Sequence, residues 1–279
     1  MSIIVEAQDR TVDVDGLSMH YLDWGNPTKP TIVLLHGLRG HAHSWDDVSE
    51  ALSPDFHVLA LDQRGRGLTD WAKDGDYGID AFVGDLVGFC RVVGLEKFSL
   101  MGHSMGARNS MAFADKHAHM LENLVLSEFG PQINPKGGQR IAKELIDVPE
   151  EFDSLDDAIA YMAQFNRYTS EPVMHRRELY ASKELANGKI GWRYDIEIRE
   201  ARRRGDPIVP LDLWPALPKI VCPTLVIRAT ETDVLDLDVA QKMIETLPDG
   251  QLVEIERAEH MVFEDNPEDF IAAVRGFLV

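Results

Sequence analysis

The chain is 279 residues long, 44% of them hydrophobic and 27% charged. That balance supports one sizeable core, with room for an insertion, and excludes disorder. Acidic side chains outnumber basic ones by 47 to 28, a net charge of −19, which argues against a nucleic-acid partner, because phosphate binding needs a basic face.

No apolar run approaches the roughly 18 residues of a membrane span. Residues 1–10 lack the basic and apolar segments of a signal peptide. A soluble, cytoplasmic protein without a membrane partner is therefore expected. The two cysteines, Cys90 and Cys222, lie far apart and make neither a disulfide framework nor a zinc motif. Both are expected to be buried thiols.

Residues 10–24 alternate polar and apolar side chains, which predicts a hairpin turning at Asp15-Gly16. Thr31–Leu35 and His57–Leu61 are continuous apolar strands, and Ile79–Val93 repeats apolar positions at helical spacing. A further strand at 98–101, a helix at 107–117 and a strand at Leu121–Ser127 continue the alternation. Such alternation of strand and helix predicts an α/β fold, a mostly parallel sheet with helices on both faces. The rhythm breaks at Gly130-Pro131 and resumes with strands at 224–227 and 251–255, before a closing helix at Pro267–Leu278. Between the break and the resumption the sequence is helical and charged, for example at 155–165 and 176–185, without a strong strand. This predicts a helical cap, 131–217, inserted into a core made of 1–130 and 218–279.

The chemistry concentrates in Gly102-His103-Ser104-Met105-Gly106, between a predicted strand and a predicted helix. A serine hydroxyl is a weak nucleophile and must meet both a base and a substrate. A sharp strand-to-helix turn pushes it clear of the sheet, in a strained conformation that neighbours must enforce. The glycines on either side let strand and helix cross closely. His260, on the loop between the last strand and the last helix, is the best placed of ten histidines to act as a base. Gly37, in His36-Gly37-Leu38 at the end of an apolar strand, lets the chain turn. The amides of Leu38 and Met105 would then face a developing oxyanion.

Taken in order, His36-Gly37, Asp62-Gln63-Arg64-Gly65-Arg66-Gly67, Gly102-His103-Ser104-Met105-Gly106 and a late acid and histidine resemble the α/β-hydrolase superfamily over the whole chain outside the cap. The resemblance implies a serine nucleophile, Ser104, a base, His260, and an orienting carboxylate. Among Glu231, Asp233 and Asp236, Asp233 best matches the family's spacing after the strand at 224–227. Some members carry the acid one strand earlier, which here is Glu128. The string 62–67 resembles a structural loop of the family and not a phosphate loop. A serine at the elbow separates this chain from the branches with an aspartate nucleophile, the epoxide hydrolases and haloalkane dehalogenases. Residues 102–110 are similar to the elbow of the (acetamidomethylene)succinate hydrolase branch. There Arg167-Tyr168 would match a pair near cap arginines that hold substrate carboxylates, a role suited to a bidentate guanidinium.

The expected activity is cofactor-independent hydrolysis of a small carboxylic ester or lactone. Cleavage of a C–C or enamide bond by the same triad is the alternative. A small-molecule receptor built on the same fold is the reading from another class. No metal site is expected, since His41, His43, His117 and His119 lack partners at ligand spacing. A homodimer is left open.

Overall fold

The computed structural model describes residues 6–206 and 211–279. Its centre is an eight-stranded sheet. In chain order the strands are β1 (Gln8–Val14), β2 (Leu17–Trp24), β3 (Thr31–Leu35), β4 (His57–Leu61), β5 (Phe98–His103) and β6 (Leu121–Ser127). Three short strands of the cap follow, β7 (Glu151–Phe152), β8 (Ser182–Glu184) and β9 (Ile190–Trp192), and then β10 (Thr224–Ala229) and β11 (Gly250–Ile255) of the main sheet. The spatial order is β1-β2-β4-β3-β5-β6-β10-β11. β1 and β2 form the antiparallel hairpin, turning at Asp15 and Gly16, both at positive φ. From β4 to β11 every pairing is parallel.

Side chains on each central strand alternate between two buried layers, as the two-residue period of a strand requires. Val33 and Leu35 of β3 join Leu59, Leu100 and Leu126 on one face. Helices α2 (Ile79–Val93), α3 (Met105–His117) and α8 (Leu237–Thr246) cover that face. Ile32 and Leu34 point the other way, with Val58, Met101, Val125 and Leu225. There α1 (Asp46–Leu52), α9 (Val262–Asp265) and α10 (Pro267–Leu278) close the core, with Trp45 stacked on Phe263 at 4.3 Å. Burial on both faces explains why β3 and β4 read as unbroken apolar runs. Both cysteines are free and buried.

The cap contains α4 (Pro135–Asp147), α5 (Leu155–Ala163), α6 (Glu171–Ala181) and α7 (Glu197–Arg204). Helix α4 starts where Asn134 accepts the Lys136 amide and Pro135 occupies the first turn, two start signals acting together. The helix expected over 176–185 ends at Ala181, and β8 follows. The strands β7, β9 and β8 form a second, small antiparallel sheet. That sheet was not expected, because strands of two or three residues are too short to show a period. Residues 207–210 of the predicted cap lie outside the described residues.

Among the described residues no helix is long and apolar enough to cross a membrane. β3 and β5 are neighbours, and the chain leaves β3 toward β4 on one side and β5 toward β6 on the other, so the connections diverge between β3 and β5. In open parallel sheets the crevice at the carboxyl ends of such strands is where ligands bind.

Candidate active site

Ser104 stands at the carboxyl end of β5 with φ 52° and ψ −113°. A non-glycine residue persists there only if its surroundings enforce it. Two contacts do so. The Ser104 amide donates to Ser127 O at 2.9 Å, and its carbonyl receives the Arg108 amide at 3.0 Å. The glycines beside it remove the remaining obstacles. A Cβ on Gly102 would collide with the backbone of Gly106, and one on Gly106 with the Leu35 carbonyl.

Glu128, which follows β6, is a second non-glycine residue at positive φ, 56°. Its amide continues the sheet ladder to Ile227 O at 2.9 Å. Its carboxylate is wholly buried. Oε1 accepts the Ala229 amide at 2.7 Å, and Oε2 accepts the Thr232 hydroxyl at 2.5 Å. Oε2 also lies 3.2 Å from Nδ1 of His260, whose Nε2 is 3.0 Å from Ser104 Oγ. The sequence Glu128, His260, Ser104 is thus a continuous hydrogen-bonded line. With Nδ1–H donating to the carboxylate, Nε2 is left as the acceptor that a serine proton needs.

Asp233, the acid preferred on spacing, is turned away. Its two oxygens take Nε and Nη2 of Arg140 at 2.7 and 2.6 Å. That ion pair with a cap helix holds the Asp233 carboxyl below the usual range. The structure brings Glu128, and not the preferred Asp233, to His260. The reason is local: the backbone amide of Ala229 and the hydroxyl of Thr232 fix one carboxylate, while Arg140 withdraws the other. Glu231 is likewise engaged elsewhere, and Asp236 receives the Asn134 amide group.

Arg167 and Tyr168 are not presented as a free substrate clamp. Arg167 Nη1 donates to Glu231 Oε2 at 2.9 Å and Tyr168 Oη to Glu231 Oε1 at 2.6 Å. Arg167 still lines the cleft, but with its charge matched.

Leu38 lines the cleft, and Met105 directly follows Ser104. Met105 is the first residue of α3, so its amide has no intrahelical acceptor. Leu38 lies just after β3, and its carbonyl is held from behind by Arg66 Nε at 3.1 Å. His36 anchors the loop. It is fully buried, donates from Nδ1 to Gly37 O at 2.7 Å and accepts the Gln63 amide on Nε2 at 3.0 Å. Burial lowers its pKa to about 4, so it is a neutral structural imidazole. Gln63 in turn bonds His36 O and receives Asn109 of α3. This network joins the loops after β3 and β4 to the elbow helix. The sequence offered no signal for it beyond the 62–67 string.

His103 is also buried and neutral, its pKa pushed well down by burial and by the neighbouring His260 and His36. Its ring centroid is 4.9 Å from that of His260. Asp62 receives the amides of Ala42 and Leu68 and pairs with His20 at 2.7 Å. It organises the structural loop, as the resemblance implied.

The cleft has a volume of about 510 Å³ between core and cap. Met162, Phe165, Trp192 and Phe263 form its apolar walls. Four arginines line it, Arg39, Arg140, Arg167 and Arg177, and each is met by a protein carboxylate. Arg177 is the most enclosed. It bonds Glu178 at 2.9 Å and Glu264 at 2.5 Å, ties α6 of the cap to α9 of the core, and was missed because charged residues so far apart in sequence carry no distinctive spacing. Among the described residues no group of three or more acidic, histidine or cysteine side chains is arranged to hold a metal ion.

The fold and this geometry define a class of hydrolase. The family model described as "Alpha/beta hydrolase family" matches residues 32–274, and the chain belongs to that family. It is similar to N-formylmaleamate deformylase of Pseudomonas putida, 30% identical over 267 residues that cover 96% of this chain and 95% of that protein. It is also 25% identical to 2-(acetamidomethylene)succinate hydrolase of Mesorhizobium japonicum, over 96% of this chain and 94% of that protein. A solved structure of E-2-(acetamidomethylene)succinate hydrolase superposes with a TM-score of 0.89 at 23% identity, covering 98% of this chain and 99% of that one.

Proposed function

We propose that the protein is a cofactor-independent serine hydrolase that cleaves a small carboxylic ester or lactone through an acyl-enzyme on Ser104. The observation that carries this reading is the hydrogen-bonded line from Glu128 through His260 to Ser104. His260 Nε2 takes the Ser104 proton as Oγ attacks the carbonyl carbon. Glu128 holds the imidazole in the required tautomer and stabilises the imidazolium that forms. The tetrahedral oxyanion rests on the amides of Leu38 and Met105, which need no reorganisation during the reaction. His260 then protonates the leaving group. A water, giving its proton to the same Nε2, attacks the acyl-enzyme; His260 then returns that proton to Ser104 Oγ as the acyl–oxygen bond breaks, which releases the acid and restores the free serine.

A second reading is hydrolysis of an amide or enamide C–N bond by the same groups. The 30% identity to a deformylase over nearly the whole chain favours it. Substrates of either kind would sit against the apolar walls of the cleft. The matched arginines favour an uncharged acyl group over a dicarboxylate, since an incoming anion would compete with carboxylates already in place.

A panel of p-nitrophenyl esters, lactones and N-formyl amides, assayed with wild type and Ser104→Ala, tests the proposal. Saturable turnover abolished by Ser104→Ala supports it, and the preferred leaving group separates the two readings. Ligand binding without turnover, unchanged in Ser104→Ala, would replace the hydrolase with a receptor.

A further inference from the structure

Arg66 is one of the largest fully buried side chains in the molecule, 2% exposed. Its guanidinium donates from Nε to Leu38 O at 3.1 Å and from Nη1 to Arg64 O at 2.8 Å, and Nη2 approaches Met105 Sδ at 3.4 Å. The rings of Tyr77 and Phe82 face it, each centroid 5.4 Å away. Two carbonyls, a thioether and two aromatic faces therefore surround the cation, and among the described residues none of its hydrogen bonds goes to a carboxylate. The other buried arginines differ. Arg177 pairs with Glu178 and Glu264, and Arg199 with Glu150.

A buried charge with no carboxylate hydrogen-bonded to it is costly, and most proteins pair it or remove it; the attraction of Asp195, whose carboxylate accepts the Tyr77 hydroxyl at 2.5 Å, offsets only part of that cost. Burial lowers the Arg66 pKa only to about 10, which leaves it cationic at neutral pH. It touches both residues whose amides would meet the oxyanion. From this we infer that Arg66 is a positioning residue for the oxyanion hole: its fork fixes the loop that presents the Leu38 amide, and its charge, with no carboxylate hydrogen-bonded to it, lies behind the site where negative charge develops. The inference rests on the reading of Ser104 as nucleophile.

The arrangement has an energetic logic. A carboxylate hydrogen-bonded directly to Arg66 would stabilise the resting protein further but would cancel more of the field at the oxyanion. Carbonyls and aromatic faces hold the cation more weakly, so its field persists at the reacting centre. An effect that acts through the oxyanion is felt in the transition state and not in the ground state. It therefore belongs in kcat and leaves KM alone.

The test compares Arg66→Lys, which keeps the charge but loses the fork, with Arg66→Gln, which keeps a donor and loses the charge. For each, kcat and KM are measured with a p-nitrophenyl ester. Inhibition by an alkyl trifluoromethyl ketone, which forms a tetrahedral oxyanion adduct on the serine, is measured alongside, and thermal unfolding monitors the fold. The expected result for Arg66→Gln is a fall in kcat of about 10- to 100-fold, short of the loss on deleting a direct oxyanion donor. KM should stay within about twofold, and ketone affinity should fall in parallel with kcat. Arg66→Lys should lie between Arg66→Gln and wild type. A folded Arg66→Gln with unchanged kcat and unchanged ketone affinity would overturn the inference. So would failure of both variants to fold, since that assigns Arg66 to stability alone. Ser104→Ala separates the two claims. If it retains turnover, the nucleophile assignment fails; if it is inactive while both Arg66 variants match wild type, only the role of Arg66 fails.

Discussion

Oε2 of Glu128 lies 3.2 Å from Nδ1 of His260, joining residues 132 positions apart in sequence. The contact exists because Glu128 follows β6 in a left-handed conformation that aims its side chain back over the ends of the strands. The Ala229 amide and the Thr232 hydroxyl saturate the rest of its carboxylate. If this contact orients the base, Glu128→Gln lowers kcat by about 10²–10⁴-fold, because an amide can stabilise neither the required tautomer nor the imidazolium. Asp233→Asn should leave kcat within about threefold, since it weakens only a part-exposed ion pair. Steady-state kinetics on the two variants decide between the acids, and equal losses would count against Glu128.

The elbow glycines carry a prediction about folding. Gly106→Ala places a methyl group against the Leu35 carbonyl, on the neighbouring strand. Helix and strand must move apart to admit it, so a destabilisation at or above the upper end of the roughly 1–3 kcal/mol typical of overpacked sites is expected. Chemical denaturation of Gly106→Ala checks it. Gly138, where a Cβ meets only ordinary contact with Ile133, is the control site and should tolerate alanine.

The buried imidazole of His36 predicts a pH dependence of stability. Its pKa in the folded protein is about 4, below the usual 6.5 or so of the unfolded chain. The unfolded state therefore binds a proton first as pH falls. The contribution is fully present above about pH 6.5, declines below it, and is lost as pH drops through about 4. Thermal unfolding of His36→Gln should fall less steeply than wild type between those values. Identical slopes would mean that His36 titrates normally.

Arg167 offers a test of what the cap arginines do. Its guanidinium and the Tyr168 hydroxyl are spent on Glu231. Arg167→Ala should change KM for a neutral ester and for its carboxylate-bearing analogue by the same factor, and stability by about 0–1 kcal/mol, as is usual for exposed pairs. A selective rise in KM for the acidic analogue would restore Arg167 as a substrate clamp.

Much of this architecture is legible in the sequence for physical reasons. The central strands are buried on both faces, so their apolar runs stand out, and the Gly-x-Ser-x-Gly turn carries its own steric requirement. His260 is visible because a loop after the last strand of a parallel sheet ends beside its centre. The acid is less legible. The resemblance offered both Asp233 and Glu128, with Asp233 the better match in spacing, and the difference between them lies in groups that spacing does not encode: the Arg140 side chain from the cap, a backbone amide and the Thr232 hydroxyl. The cap sheet is hidden by the brevity of its strands. The Arg177–Glu264 link is hidden because charge pairs across an insertion leave no periodic trace.

The central claim is that Ser104 is an activated nucleophile. Intact-mass spectrometry after treatment with a fluorophosphonate, on wild type and Ser104→Ala, addresses it most directly. The account predicts one adduct per chain on wild type and none on the variant. Absence of an adduct on folded wild type, or equal labelling of Ser104→Ala, would contradict it.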